Sequence, residues 1–302
     1  MLSIIIINYK NEEKTISYVI EELVKVTTPH IIVIVNNSAT IESSQKLVKD
    51  LNGELVTDIS VVRKCENNCY ILSEIANLGF AKGNNLAARF SIKHFDITYF
   101  LFTNNDIRFV ENDVVEKLLF RIDTLPDIGL IGPKVVGIEG KCQSPEPYVP
   151  FWNRYVWMYW STPFLTLQRK EKIFKIDYSD HAKEGIHYKI SGSFFLMKKQ
   201  DFILCGMMDT NTFLYGEELI LSERLRRIDK YCYYYPKVSI IHEHSQTISS
   251  HFSETKRQLL LFKSESYYYK NYKNISFIAI WFGLNSFKSY LFVKNLFKSS
   301  TL

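Results

Sequence analysis

The sequence predicts an α/β fold, a mostly parallel sheet flanked by helices. Short β-branched runs recur along the first half of the chain, and each is followed by a stretch long enough for a helix. The runs are apolar throughout rather than alternating, as strands covered on both faces must be. Size agrees: 302 residues, 46% hydrophobic and 23% charged, bury a proper core and exclude a disordered chain. Gly (12) and Pro (8) are too scarce for long low-complexity linkers.

Ser3–Ile7 is the first strand. Asn11-Glu12-Glu13 opens a helix with a cap residue and two acids at the positive end of the dipole, and that helix runs to about Val26. Ile31–Val35 is the second strand and Ile41–Leu51 the second helix. Ile59–Arg63 reads as a third strand, Gly79–His94 as a Gly-rich turn and helix, and Thr98–Thr103 as a fourth strand. Beyond residue 125, Ile128–Ile131, Lys134–Val136, Tyr188–Lys198 and Tyr231–Ile241 read as strands and Glu217–Arg227 as a helix. Four prolines among aromatics over residues 145–170 predict a mobile or substrate-facing loop region.

Ligands of such sheets bind beyond the carboxyl ends of the strands. Here those ends read Asn8-Tyr9, Asn36-Asn37-Ser38 and Asn104-Asn105-Asp106. Turn chemistry explains each singly, and three at one edge favour a site. Four constellations carry chemistry. Asn104-Asn105-Asp106 suits Mg²⁺ or Mn²⁺, or serves the cap of a helix near Asp113. The segment from Asn77 through Gly79 and Gly83 to Asn84-Asn85 permits close backbone approach to a ligand, or is a tight turn. Glu217-Glu218 either complements a helix dipole or supplies a general base. His242-Glu243-His244 either ligates a metal or lies on the surface.

Five cysteines form no disulfide framework and predict free thiols in a reducing compartment. The N-terminus has neither a basic leader nor a span-length apolar run. Charge is uneven. Lys256 to Leu302 holds eight Lys/Arg and one acid, Glu265; that +7, against +5 for the whole chain, leaves −2 for residues 1–255. Aromatics interleave with these cations. Such a tail suits an anionic membrane surface, single-stranded nucleic acid, or a helix packed on the domain. The membrane surface is the reading adopted, with no nucleic-acid partner. Phe277–Val293 is then a surface-lying segment, although its helical wheel is not cleanly amphipathic.

Taken in order, NLGFAKGNN (77–85), LFTNND (101–106), IGLIGPKVVG (128–137), ISGSFFLMKK (190–199), MDTNTFLYGEELILSERLRR (208–227) and IIHEHS (240–245) resemble glycosyltransferase family 2, in its rhamnosyltransferase-like branch. The resemblance covers about residues 1–250. It implies a GT-A fold, a Rossmann-like mixed sheet flanked by helices, here with a C-terminal helical tail over 251–302. Residues 1–110 would bind the nucleotide sugar and 111–250 the acceptor. The family implies a metal-dependent, inverting transferase with Mg²⁺ or Mn²⁺ and a nucleoside-diphosphate sugar, UDP- or dTDP-linked. By position, Glu218 is the base beside Glu217, and Asp106 and His242 hold the metal. Asn8, Tyr9, Asn36, Asn37, Asn77, Gly79, Gly83, Asn84, Asn104, Asn105 and Asp106 bind the donor. Ser191, Gly192 and Asp209 meet the acceptor. The expected acceptor is a lipid-linked saccharide in capsule-type polysaccharide synthesis, handled in the cytoplasm by a protein peripherally attached to the inner face of the plasma membrane. Asn36 and Asn104 replace frequent aspartates, Glu218 stands where Asp is usual, and Ile220 replaces a helix Asp. Those losses keep a rival open: a non-catalytic nucleotide-sugar-binding or scaffold protein.

Overall fold

The computed structural model describes residues 1–63, 65–161, 183–243 and 254–299. Its centre is one ten-stranded mixed sheet. The first half supplies β1 (Leu2–Tyr9), α1 (Glu12–Ser17), β2 (His30–Asn37), α2 (Ile41–Leu51), β3 (Glu54–Val56), β4 (Cys69–Glu74), α3 (Gly79–His94), β5 (Tyr99–Thr103), β6 (Ile107–Phe109) and α4 (Val114–Asp123). The second half supplies β7 (Ile128–Gly137), α5 (Met158–Ser161), β8 (Gly185–His187), β9 (Phe194–Lys198), α6 (Lys199–Leu204), α7 (Glu217–Arg226), β10 (Tyr231–His242), α8 (Glu254–Lys273) and α9 (Phe277–Ser299). The strand order is β3-β4-β2-β1-β5-β9-β7-β10-β6, with β8 also beside β10. The five strands from β3 to β5 are parallel, and β9 is antiparallel to both its neighbours.

Central burial explains the continuous apolar runs. Along β1, Ile4 and Ile6 join a cluster with Leu47, Leu118 and Ile122 on one face, while Ile5 joins Phe90, Phe102 and Phe202 on the other. Successive side chains of a strand point to opposite faces, so a strand covered twice has no polar position to spare.

Several boundaries differ from expectation. Ile59–Arg63 is not a strand. Asp58 folds it into a turn by accepting from the Ser60 amide through its side chain and from the Val61 amide through its carbonyl. The strand beside β2 is Cys69–Glu74, four of whose residues are buried. The two runs at 128–136 merge into β7, and β9 begins only at Phe194, because Ser191–Ser193 form a turn. The first helix tightens and widens rather than running uniformly: a π-turn over Tyr18–Glu22 and a 3₁₀ turn over Leu23–Lys25 follow α1. Within the expected loop 145–170, a π-turn at Asn153–Trp157 leads into α5, and residues 162–170 lie outside the described ones.

The tail is packed. Phe262, Tyr268 and Tyr269 of α8 and Phe287 and Leu291 of α9 bury themselves with Phe151, Tyr155 and Ile220. Glu265, the acid inside the basic tail, is buried and bridged by Arg154 through two hydrogen bonds of 3.0 Å, and Tyr155 donates to it as well. A carboxylate at that depth requires such a partner. Among the described residues no helix is long and apolar enough to cross a membrane. All five cysteines are free, and burial pushes the Cys69 and Cys205 thiols up to about 12.

Candidate active site

The parallel register of β1 and β2 sets Asn8 beside Asn36 and Tyr9 beside Asn37 at the carboxyl edge. Asn8 donates to Asn36 Oδ1 at 2.8 Å and to Glu12 at 3.1 Å. Thr15 donates to Asn8 Oδ1 at 2.8 Å, and Asn105 donates to Thr15 at 2.7 Å. Asn36 donates onward to Ser43 and Ser44 of α2. The polar ends of three strands are thus one network of mostly neutral groups, closed at one end by Glu12 and satisfied as burial demands.

Asn37 ties this edge to the glycine loop, accepting from the Leu78 amide and donating to the Gly79 carbonyl, both at 3.4 Å. Asn77 accepts from the Gly79 amide at 2.9 Å, and Asn84 donates to the Phe80 carbonyl at 3.0 Å. Gly79 has φ +75°, and a Cβ there would overlap the Phe213 carbonyl oxygen. The close approach that this glycine permits is therefore to the protein's own 209–216 loop. Gly83 lies under Ile7, where a Cβ would stand 3.0 Å from Ile7 Cδ1. Tyr9 lies at the rim of this edge, with Lys10 Nζ 5.5 Å from its ring centroid.

The turn after β5 brings Asp106 to His242, because Ile107 pairs with His242 across β6 and β10. Asp106 Oδ1 and His242 Nε2 are 3.3 Å apart, both largely buried. His242 Nδ1 lies 2.8 Å from Gln143 Oε1. With its proton on Nδ1, the ring donates to Gln143 and turns the Nε2 lone pair toward Asp106. Asn104 Nδ2 stands 3.5 Å from Nε2. Among the described residues no group of three or more His, Cys, Asp or Glu is placed to hold a metal. One carboxylate and one imidazole do not make a closed structural site. They do fit a hard divalent cation that draws its remaining ligands from phosphate and water. His244 lies outside the described residues.

Glu217 and Glu218 open α7 behind Gly216, a left-handed glycine. Their surroundings differ. Glu217 is buried, and burial first, then the neighbouring Glu218 charge, push its carboxyl up to about 8 against the opposing Lys189 charge. Glu218 is only half-buried and lies so close to Gly192 that a Cβ there would overlap its carboxylate. The Ser193 carbonyl, one residue on, accepts from the Asn104 amide at 2.8 Å. The Ser191–Ser193 turn therefore carries Glu218 on one side and the Asn104–Asp106 turn on the other. Ser191 and Ser193 hydroxyls are 2.9 Å apart, and Ser144 accepts from the Ser191 amide at 3.2 Å.

Asp209 has a different setting from Ser191 and Gly192. Tyr272 donates to it at 2.6 Å, Tyr267 at 3.0 Å and Asn211 at 2.7 Å, and Arg224 pairs with it at 3.1 Å. Burial pushes its carboxyl up, but the hydrogen bonds from Tyr272 and Asn211 and the Arg224 charge outweigh that and hold it below the usual carboxylate range. Together they tie the 209–216 loop to α8. The sequence does not single out Gln143, and it shows Tyr267 and Tyr272 only as tail aromatics, not as partners of Asp209. Neither sits in a motif, and only the charge asymmetry of the tail hinted that α8 mattered.

The mixed ten-stranded sheet with its flanking helices is a GT-A scaffold. Solved structures agree. A mannosyltransferase, PcManGT from Pyrobaculum calidifontis, in complex with GDP-Man and Mn²⁺, is 10% identical with a TM-score of 0.57 over 98% of this chain and 75% of that one. S. aureus TarS residues 1–349 give 12% identity and a TM-score of 0.52 over 96% and 80%. GalNAc-T7 with UDP, GalNAc and Mn²⁺ gives 14% and 0.52 over 81% and 44%. At such identities the likeness shows the fold, and the fold is that of GT-A glycosyltransferases. A curated relative, the low-salt glycan biosynthesis hexosyltransferase Agl10 of Haloferax volcanii, is 24% identical over 228 residues, 75% of this chain and 62% of that protein's length. No family model matches the chain.

Proposed function

We propose that the protein transfers a sugar, with inversion, from a nucleoside-diphosphate donor to a hydroxyl of a saccharide acceptor. The observation that carries this reading is the Ser191–Ser193 turn, which seats Glu218 and the Asn104–Asp106 turn on its two sides. Glu218 removes the acceptor's hydroxyl proton. The freed oxygen bonds to the anomeric carbon as the bond to the diphosphate oxygen breaks, and the nucleoside diphosphate leaves with the electron pair. Glu217, held largely protonated near neutral pH, spares Glu218 a second negative charge beside it. Mg²⁺ or Mn²⁺ bound at Asp106 and His242 would supply positive charge beside the departing diphosphate. The Asn8–Asn36–Asn37 edge is buried and bonded internally, so it would fix the strand ends and Tyr9 around the nucleoside of a UDP- or dTDP-sugar rather than contact it directly.

The relative's role in glycan biosynthesis and the basic aromatic tail support a lipid-linked acceptor, met at the cytoplasmic face of a membrane during assembly of a surface polysaccharide of capsule type. The scaffold rival loses one of its supports. Ile220, at the position of a frequent Asp, is fully buried under the tail with Phe151 and Phe287, so that change serves packing. Thermal melts against UDP-, dTDP- and GDP-sugars with and without Mn²⁺, followed by transfer assays with the stabilising donor, test the reading. A donor at 100 times its Kd adds about 2.7 kcal/mol. Stabilisation without turnover on any acceptor or water would favour the scaffold.

A further inference from the structure

The last helix explains its own poor amphipathicity. Gly283, Phe287 and Leu291 of α9 face the domain, with Gly283 against Phe151. The opposite side carries Phe277, Ile278, Trp281, Phe282, Lys288 and Phe292, all exposed; Ile278 is 77% and Phe277 69% accessible. These positions fall near one stripe at helical spacing. A helix apolar on both sides is built to be covered on both sides, and the domain covers one.

The exposed side does not stop at α9. Trp152 sits 6.0 Å from Phe282, ring centroid to centroid, and Trp160 donates through its indole N–H to Ser286 at 2.9 Å. Trp157, 56% accessible, lies on the same short segment between them. Two segments more than a hundred residues apart thus build one aromatic surface. Lys288 puts positive charge on the stripe itself, and the described part of the tail exposes further lysines. Lys263, Lys270 and Lys288 are exposed, while Glu265 is turned inward onto Arg154.

We propose that this face, Trp152, Trp157 and Trp160 with Phe277, Trp281 and Phe282, docks on a bilayer carrying anionic lipid. It rests on the reading of a membrane-borne acceptor and names the surface that meets the membrane. Indole and phenyl rings settle at the headgroup level, where an apolar body and a polar edge are both satisfied. Exposed lysines add attraction to an anionic surface. A second copy of this chain is the poorer occupant, because a two-fold interface sets like surfaces face to face and would bring lysines toward lysines. The location suits the chemistry. Phe151 and Tyr155, which anchor the tryptophan segment, share their cluster with Ile220, two residues beyond Glu218. A bilayer on this face would lie beside the cluster into which the helix carrying Glu218 packs, which suits a lipid-linked acceptor.

The test is flotation of the full chain with vesicles of phosphatidylglycerol and phosphatidylcholine at low and high salt. Size-exclusion and donor-hydrolysis assays accompany it. Wild type should float with anionic vesicles, less so at 0.5 M salt or with pure phosphatidylcholine, as expected from screening with a Debye length of about 10 Å at 0.1 M. The double variant Trp281→Ser, Phe282→Ser should lose at least about tenfold in bound fraction, while its melting temperature and donor hydrolysis stay at wild-type values. The triple reversal Lys263→Glu, Lys270→Glu, Lys288→Glu should remove the salt-sensitive part alone. Wild type that never floats, a serine variant that floats as well as wild type, or a wild-type dimer dissolved by the serine variant would each overturn the proposal. Donor turnover intact beside failed flotation refutes the docking face alone. Flotation without turnover on any acceptor refutes the transferase reading alone.

Discussion

The asparagine edge and the tail-clamped loop are held by different means. At the asparagine edge Asn8 and Asn36 are 28 residues apart in sequence, on adjacent strands, and all links but the one from Asn8 to Glu12 join neutral groups. In the 209–216 loop Asp209 and Tyr272 are 63 residues apart, and the links gather around a carboxylate and a guanidinium. The first region is made by strand register and persists as long as the sheet does. The second draws two of its four links, Tyr267 and Tyr272, from α8, so the loop leading into Glu217-Glu218 is tied in part to the tail. Strand ends held in register need little charge, whereas a loop held from outside the sheet needs strong, directional bonds to stay put.

Removal of residues 274–302 should break that difference most severely. It strips Phe287 and Leu291 from Phe151, Tyr155 and Phe262, and each large apolar side chain returned to water costs about 1.5–3 kcal/mol. Circular-dichroism melts should show a fall of many degrees and aggregation on heating. A truncated protein as stable as the parent would mean the tail is an appendage. Asp106→Asn comes next. Donor affinity measured calorimetrically with Mn²⁺ should fall at least tenfold, and the difference between runs with and without metal should vanish. Unchanged titrations would place the cation elsewhere.

Glu217 offers a pH test. Its folded-state pKa lies above the unfolded value, so the charged form is disfavoured in the fold, and its burial costs stability as pH rises from about 4.5 to about 8. Glu217→Gln should therefore raise the melting temperature at pH 8.5 and change it little at pH 4.5. A gain of equal size at both pH values would remove charge burial as the cause. Asp209 has the opposite sign. Its depressed pKa contributes stability above the ordinary carboxylate range, lost as pH falls through the folded value. Tyr272→Phe deletes one donor to that carboxylate and should cost about 1.5–3 kcal/mol in denaturant melts, shrinking as pH drops into the acid range. Donor binding at the asparagine edge should hardly move.

The same contrast explains what was legible in the sequence. β1, β2, β5 and the glycine loop announce themselves because their signals are local: apolar runs, asparagines at strand ends, a glycine at positive φ. Asn8, Asn36 and Asn105 meet because parallel register carries strand ends to one edge, a consequence readable from topology. Ile59–Arg63 is not a strand because a β-branched run also fits a turn when Asp58 captures the following amides, and the Cys69–Glu74 run takes its place. Gln143 lies 99 residues from His242, and Arg154 lies 111 from Glu265. Contacts so distant leave no periodicity or spacing behind them. Cation–aromatic interleaving in the tail was visible, yet it described both faces of α9 at once, and only the docked structure separates the packed face from the exposed one.

Glu218→Gln tests the central claim most directly. The substitution keeps the side chain's shape against Gly192 and removes its capacity to take a proton. Transfer from the stabilising nucleotide sugar to its acceptor should fall by about 10²–10⁴, the range of general base assistance, while the donor's Kd stays within about twofold of wild type. Activity within about threefold of wild type, with donor binding intact, would show that another group takes the proton.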